Sequence, residues 1–118
     1  MRHSNSKSNL GSKNDASHRV IRNMVTSLFM KGKVRTTKAH LRSVITITDK
    51  LITFAKTHDV MNTIRECNSY LYTEAASRQL VDSVLPKFKD VTSGFTTKKN
   101  IGFRKGDGAE MFEIRIRD

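Results

Sequence analysis

Two one-sided apolar stripes constrain this chain more than any other feature. Val20, Ile21, Met24, Val25, Leu28 and Phe29 recur at helical spacing, and so do Leu41, Val44, Ile45, Thr48, Leu51, Ile52 and Ala55. Each stripe predicts an amphipathic helix with a face it cannot bury alone, so both must share a core with other elements. Ser17 is the expected N-cap of the first helix, and Lys31-Gly32 its end. Lys33-Val34-Arg35-Thr36 alternates and reads as a short strand. Thr37 then caps the second helix, whose polar side carries Lys38, Arg42 and Lys56.

After the Thr57-His58-Asp59 break, Val60, Met61, Ile64, Cys67 and Leu71 give a less regular third helical face. Thr73 caps a fourth helix lined by Ala76, Leu80, Val81 and Val84 and ended by Pro86. Methionines and aromatics on these faces are expected in the core. Val91 to Phe95 and Met111 to Arg117 are β-like, separated by a loop with Gly102, Gly106 and Gly108. In the last segment Phe112, Ile114 and Ile116 face inward, while Arg115 and Arg117 point outward. The expectation is an α+β fold, a single two-layer domain over residues 17–118 with helices packed on a small sheet. Its order is helix, strand, three helices, two strands. Residues 1–16 form an extended basic tail, too polar to bury anything by itself.

Charge narrows the partner. The chain has 22 Lys and Arg against 11 Asp and Glu, a net +11. Residues 1–50 hold 11 basic and 2 acidic side chains, whereas residues 51–118 hold 11 and 9. A polyanion would relieve that self-repulsion, and nucleic acid is the natural one; a Lys-rich solvated surface is the ordinary alternative. A membrane-surface protein would show an amphipathic basic stretch, but the most basic stretch here is rich in Ser and Asn. No run approaches the roughly 18 apolar residues of a membrane span, and no signal-peptide core is present. The single cysteine, Cys67, allows no internal disulfide and suits a reducing compartment.

No catalytic constellation is visible. His3, His18, His40 and His58 form no zinc spacing with Cys67, the carboxylates are scattered, and Asp107 between two glycines reads as a turn residue. Neither an enzyme, a cofactor, a metal nor a small-molecule substrate is expected. A DNA-reading helix-turn-helix fits poorly, because the helix after Thr37 follows a strand and is long and apolar.

Phosphate contact suits the residues better. His18, Arg19 and Arg22 come early in the first helix, where either a phosphate offsets them or they reach into solvent. Thr96-Thr97-Lys98-Lys99-Asn100 and Gly102-Phe103-Arg104-Lys105-Gly106 form a second basic cluster, placed in the glycine-containing loop. Phe103 is either a base-stacking ring or, more ordinarily, a loop residue tucked against the core.

Several short motifs, in order, carry a resemblance. They are Met1-Arg2-His3, Leu10, Ser17-His18-Arg19, Arg22-Asn23-Met24, Thr36-Thr37-Lys38-Ala39, Leu41-Arg42 and Leu51-Ile52-Thr53, followed by Gly94-Phe95-Thr96, Gly102-Phe103-Arg104, Gly106-Asp107, Ala109 and Met111. The chain resembles the bacterial ribosomal large-subunit protein seventeen family, nearly end to end. That resemblance implies the same α+β order, and assembly onto large-subunit ribosomal RNA beside neighbouring ribosomal proteins, near the polypeptide exit region. It implies RNA contact by Arg2, His3, His18, Arg19, Arg22, Asn23, Thr36, Lys38, Arg42 and Arg104. Charge and hydrogen-bonding capacity add Lys7, Lys13, Ser17, Lys33, Arg35, Thr96, Lys98 and Lys99 as RNA-binding candidates. Replacing Arg19 or Arg22 by Glu is expected to weaken RNA binding while sparing the fold.

The chain also departs from the family. Ser4, Ser8 and Ser12 stand where basic tail residues are common, Thr63-Ile64 replaces paired arginines of the third helix, and Leu85-Pro86 replaces Gly-Pro. The stretch before Ser17 is Ser-rich and acid-poor like a transit peptide, but Met1-Arg2-His3 resembles the family's own start. A cytoplasmic ribosome is therefore the expected location, with an organelle's ribosome as the alternative.

Overall fold

The computed structural model describes residues 15–117, so the tail candidates Arg2, His3, Lys7 and Lys13 lie outside the described residues. Helix α1 spans Asp15–Lys31, β1 Lys33–Thr37, α2 Lys38–Thr57, α3 Val60–Tyr70 and α4 Glu74–Gln79. Strands β2 (Thr96–Phe103) and β3 (Glu110–Ile116) follow, and the sheet is antiparallel in the order β1-β3-β2. Four helices packed on this sheet make the fold α+β.

The stripes fold as their spacing predicts. Val25, Leu28 and Phe29 of α1 and Leu41, Val44, Thr48, Leu51, Ile52 and Ala55 of α2 are buried. They meet Ile114 and Ile116 of the central strand, with Phe112 packed at the margin. Helix α1 ends in a left-handed glycine, Gly32 at φ 80°, whose N–H donates to the Leu28 carbonyl at 2.8 Å. Its start differs from expectation. The helix begins at Asp15, so Ser17 lies within the first turn and is not the N-cap, in keeping with the helix-forming Ala16 before it. Val20, near that start, is exposed.

Helix α3 turns a different face inward. Val60 and Met61 are 55% and 63% exposed, while Thr63, Cys67 and Leu71 are buried. Thr63 can enter the core because its hydroxyl donates to the Asp59 carbonyl at 2.7 Å, leaving its methyl to pack. Asp59 caps the helix by accepting from the Asn62 N–H at 3.1 Å. Burial first, and the Glu66 charge second, push the Cys67 thiol up to about 11, so it remains an unreactive core group.

Thr73 caps α4 as expected, accepting from the Ala76 N–H at 3.3 Å. Pro86 does not stop the helix outright. A π turn over Leu80–Val84 and a 3-10 turn over Leu85–Phe88 carry the chain past it. A proline lacks an N–H and crowds the carbonyl four residues back, and the wider turn accommodates both.

Val91 to Phe95 is not a strand. Gly94 adopts φ 72°, which breaks extended geometry, and Phe95 packs edge-on against Phe88 at 5.1 Å. Lys56, expected on the polar side of α2, is half-buried here, donating to the Val91 carbonyl and lying 5.5 Å from the Phe95 ring. The segment taken for a basic loop is instead the edge strand β2, which is open to solvent along most of its length.

Candidate nucleic-acid interface

Because β3 is central and its even-numbered residues face the helices, its odd-numbered residues lie on the open face of the sheet. Arg35 and Lys99 pair with Glu113 on either side, and Lys33 and Thr97 pair with Arg115 in the next row. Lys33, Arg35, Lys99 and Arg115 thus surround one carboxylate on a surface otherwise open to water. Glu113 is only 5% exposed despite facing outward. Arg115 donates to it through Nε, and the Arg35 Nε lies 3.6 Å away. The Arg115 hydrogen bond, helped by the charges of Arg115, Lys33 and Arg35, holds the Glu113 carboxyl below its ordinary value, so it stays ionised at neutral pH. Its chemical effect is to fix two guanidinium groups on the sheet while leaving the surface cationic.

One end of this surface meets the start of α2. Thr37 is the N-cap of α2, but its hydroxyl pairs with His40 Nδ1 at 2.9 Å and makes no cap bond, and no acidic residue occupies the first turn. Lys38 there is 3.6 Å from Glu110, and Arg42 is exposed. The register row Thr37-Met111-Gly102 puts the β2–β3 hairpin tip at the same end, about 10 Å across two strand spacings.

At that tip Arg104 grips Asp107, its Nε 2.9 Å from Oδ1. This hydrogen bond first, and the Ala109 N–H at 3.1 Å next, lower the Asp107 carboxyl from 3.8 to about 2. A depressed folded value means the pair helps hold the tip above about pH 4, and that its help is lost as pH falls through 2. A carbon-detected NMR titration of Asp107 is expected to inflect near pH 2; an ordinary carboxylate inflection would show that the pair does not form in solution.

The other end of the sheet borders an open cleft of about 290 Å³ whose lining includes Lys31, Lys33, Lys87 and Arg115. Sequence reasoning passed over Lys31, Lys87 and Arg115 as candidates. For Arg115 the signal was present, since strict alternation on β3 turns it outward; Lys31 looked like a helix terminator, and Lys87 had no pattern to place it.

The expected site residues do not form one patch. His18 and Arg19 are exposed near the start of α1, roughly 18 to 20 Å along the helix axis from its junction with β1, and Asn23 is exposed at mid-helix, roughly 12 Å from it. Thr36 is 2% exposed, its hydroxyl directed at the Met24 sulfur at 3.4 Å, so it belongs to the core and not to a surface. Thr96 is half-buried, and Lys98 and Lys99 are exposed on β2. The backbone of Ser17 is helical, and its side chain lies outside the described ones.

Arg22 has a structural task. Its Nε donates to the Tyr70 carbonyl, and its guanidinium lies 4.3 Å from the Tyr72 ring centre. Thr26 supports the same corner, accepting from the Tyr72 N–H at 3.2 Å. Replacing Arg22 is therefore not neutral for folding, contrary to the sequence-based expectation. Arg22→Ala is expected to lower unfolding free energy by about 2 kcal/mol, from a charged hydrogen bond and a cation–π contact. A urea melt indistinguishable from wild type would remove this clamp.

Among the described residues no group of three or more His, Cys, Asp or Glu side chains is placed to hold a metal ion, and no helix is long and apolar enough to cross a membrane. The family model for ribosomal protein L17 matches residues 20–117. The chain is 39% identical to the large ribosomal subunit protein bL17 of Carboxydothermus hydrogenoformans over 91% of this chain and 95% of that one. It is 36% identical to that of Desulforudis audaxviator over the same shares, and 38% identical to that of Desulforamulus reducens over 82% and 86%. With this match spanning both the helical layer and the basic sheet, the chain belongs to the ribosomal protein L17 family, a family of structural proteins of the large ribosomal subunit and not of enzymes.

Proposed function

We propose that this chain binds and stabilises large-subunit ribosomal RNA, with the open sheet face as its principal contact. The observation that carries this reading is the group of Lys33, Arg35, Lys99 and Arg115 around the buried Glu113. A flat cationic surface with two guanidinium groups fixed in place suits a folded polyanion better than a small ligand, which needs an enclosing pocket. His18 and Arg19 at the start of α1, Asn23 at its middle, and Lys38 and Arg42 at the start of α2 supply flanking phosphate contacts. Arg104 and Thr96 belong to the same hairpin, Arg2, His3, Lys7 and Lys13 extend the contact along the tail, and Ser17 extends it at the first turn of α1. Neighbouring ribosomal proteins complete its surroundings. The family resemblance supports a place near the polypeptide exit region, in a cytoplasmic or organellar ribosome.

The test is binding of the purified protein to large-subunit ribosomal RNA and to duplex DNA at matched salt. Affinity for the RNA should be higher and fall steeply with salt; equal affinity for DNA would refute the reading. Arg19→Glu, at an exposed position, is expected to cost roughly 1 to 3 kcal/mol of RNA affinity with an unchanged melting curve. Unaltered RNA affinity would take Arg19 out of the interface. A density map of the parent large subunit decides the exit-region placement, and a position remote from the exit would overturn it.

A further inference from the structure

The geometry points to Phe103 as a stacking platform for an unpaired base of the bound RNA. Phe103 is 74% exposed, the most exposed large hydrophobic side chain among the described residues, and the core expectation for it is thereby overturned. It ends β2 opposite Glu110, beyond the bulge between Asn100 and Gly102. The backbone holding it is closely tied. Asn100 accepts from the Gly102 N–H at 2.8 Å and donates to Glu110 at 2.8 Å. On the other side the Arg104 N–H donates to Ala109 at 2.8 Å, and the Gly108 N–H returns to Arg104 at 2.9 Å. A phenyl ring held in water by so ordered a hairpin contributes little to the fold, and it is held in place to be covered by a ligand at little ordering cost.

The surrounding charge selects the partner. Lys105, two residues beyond the ring, is exposed, and Lys98, exposed too, lies farther back along β2 on the same side of the strand, while Arg104 is engaged by Asp107. An aromatic face flanked by cations matches a base flanked by phosphates. Bases inside a duplex already have both faces stacked, so the nucleotide is one from a loop, bulge or strand end. This inference rests on the RNA-binding reading above and adds the ring, which sheet-face charge does not require.

The experiment compares wild type with F103A, F103L, F103Y and F103W on purified large-subunit ribosomal RNA at fixed salt. The chain has no tryptophan, so F103W carries a single reporter at the proposed contact. F103A and F103L should each lose about 5- to 150-fold in affinity, F103Y should stay near wild type, and F103W emission should be quenched on binding. Wild-type affinity in F103L would replace stacking by plain apolar packing and overturn the proposal. RNA bound at full affinity with unquenched F103W emission would also overturn it, and is the result expected if the ring instead docks on a protein neighbour. Failure of the wild type to bind the RNA would overturn the RNA-binding reading as well.

Discussion

Phe29→Ala should lower the unfolding free energy by about 3 to 5 kcal/mol, a large part of the 5 to 15 kcal/mol typical of a domain this size. Phe29 is 1% exposed, near the end of α1, and belongs to the single cluster that also contains the α2 stripe and the β3 residues Ile114 and Ile116. Helix α1 touches α2, α4, β1 and β3. Truncating the ring therefore leaves a void where the layers join, and a small core has little freedom to close it. Urea denaturation followed by circular dichroism measures the loss. A shift below about 1 kcal/mol would mean that the site collapses around the smaller side chain.

The elements whose faces are strictly partitioned between core and water were legible from the sequence. In α2 nearly every apolar residue of the stripe is buried, and in β3 the alternation of Phe112, Ile114 and Ile116 with Arg115 separates the two faces. Strand β2 has no such partition. It is an edge strand mostly open to solvent on both sides, so Thr96 to Phe103 shows no period-2 apolar pattern, and its glycine and lysines look like a loop. Its lysines suit an edge, where charge also discourages pairing with another chain. Helix α3 was misread for a related reason, since Thr63 counts as polar in sequence but packs as an apolar group once its hydroxyl is satisfied.

The interface was legible by composition and not by shape. Lys33, Arg35 and Lys99 were recognisable as basic residues, but their meeting on one face depends on a register between distant segments. Glu113 was hidden altogether, because alternation assigns it to solvent. Its burial arises on the open face from the flanking arginines, whose long apolar stems can cover a neighbour while the charged heads remain wet. Thr36 shows the opposite error: a family motif placed it among contacts, whereas its position beneath α1 puts it in the core.

Replacing Lys33, Arg35 and Lys99 together by Gln should separate the charge of the open sheet face from its architecture. All three side chains are exposed, and Glu113 keeps Arg115 as a partner, so the melting curve should change little. RNA binding should change greatly. Each lost phosphate contact removes about 0.7 to 0.9 from the slope of log affinity against log salt, so three remove roughly 2.5. At 0.1 M salt that corresponds to roughly 300-fold weaker binding, against a much smaller difference near 1 M, where counterion release no longer favours the complex. Phe103 is untouched by these changes, so a stacking contribution should survive as the salt-insensitive remainder. Titrations over a range of salt concentrations decide the matter: an unchanged slope would move the RNA off the sheet face and onto the start of α1 and the tail, whereas a slope reduced by about 2.5 would assign the greater part of the electrostatic contact to three side chains brought together by the pairing of β1 and β2 with β3.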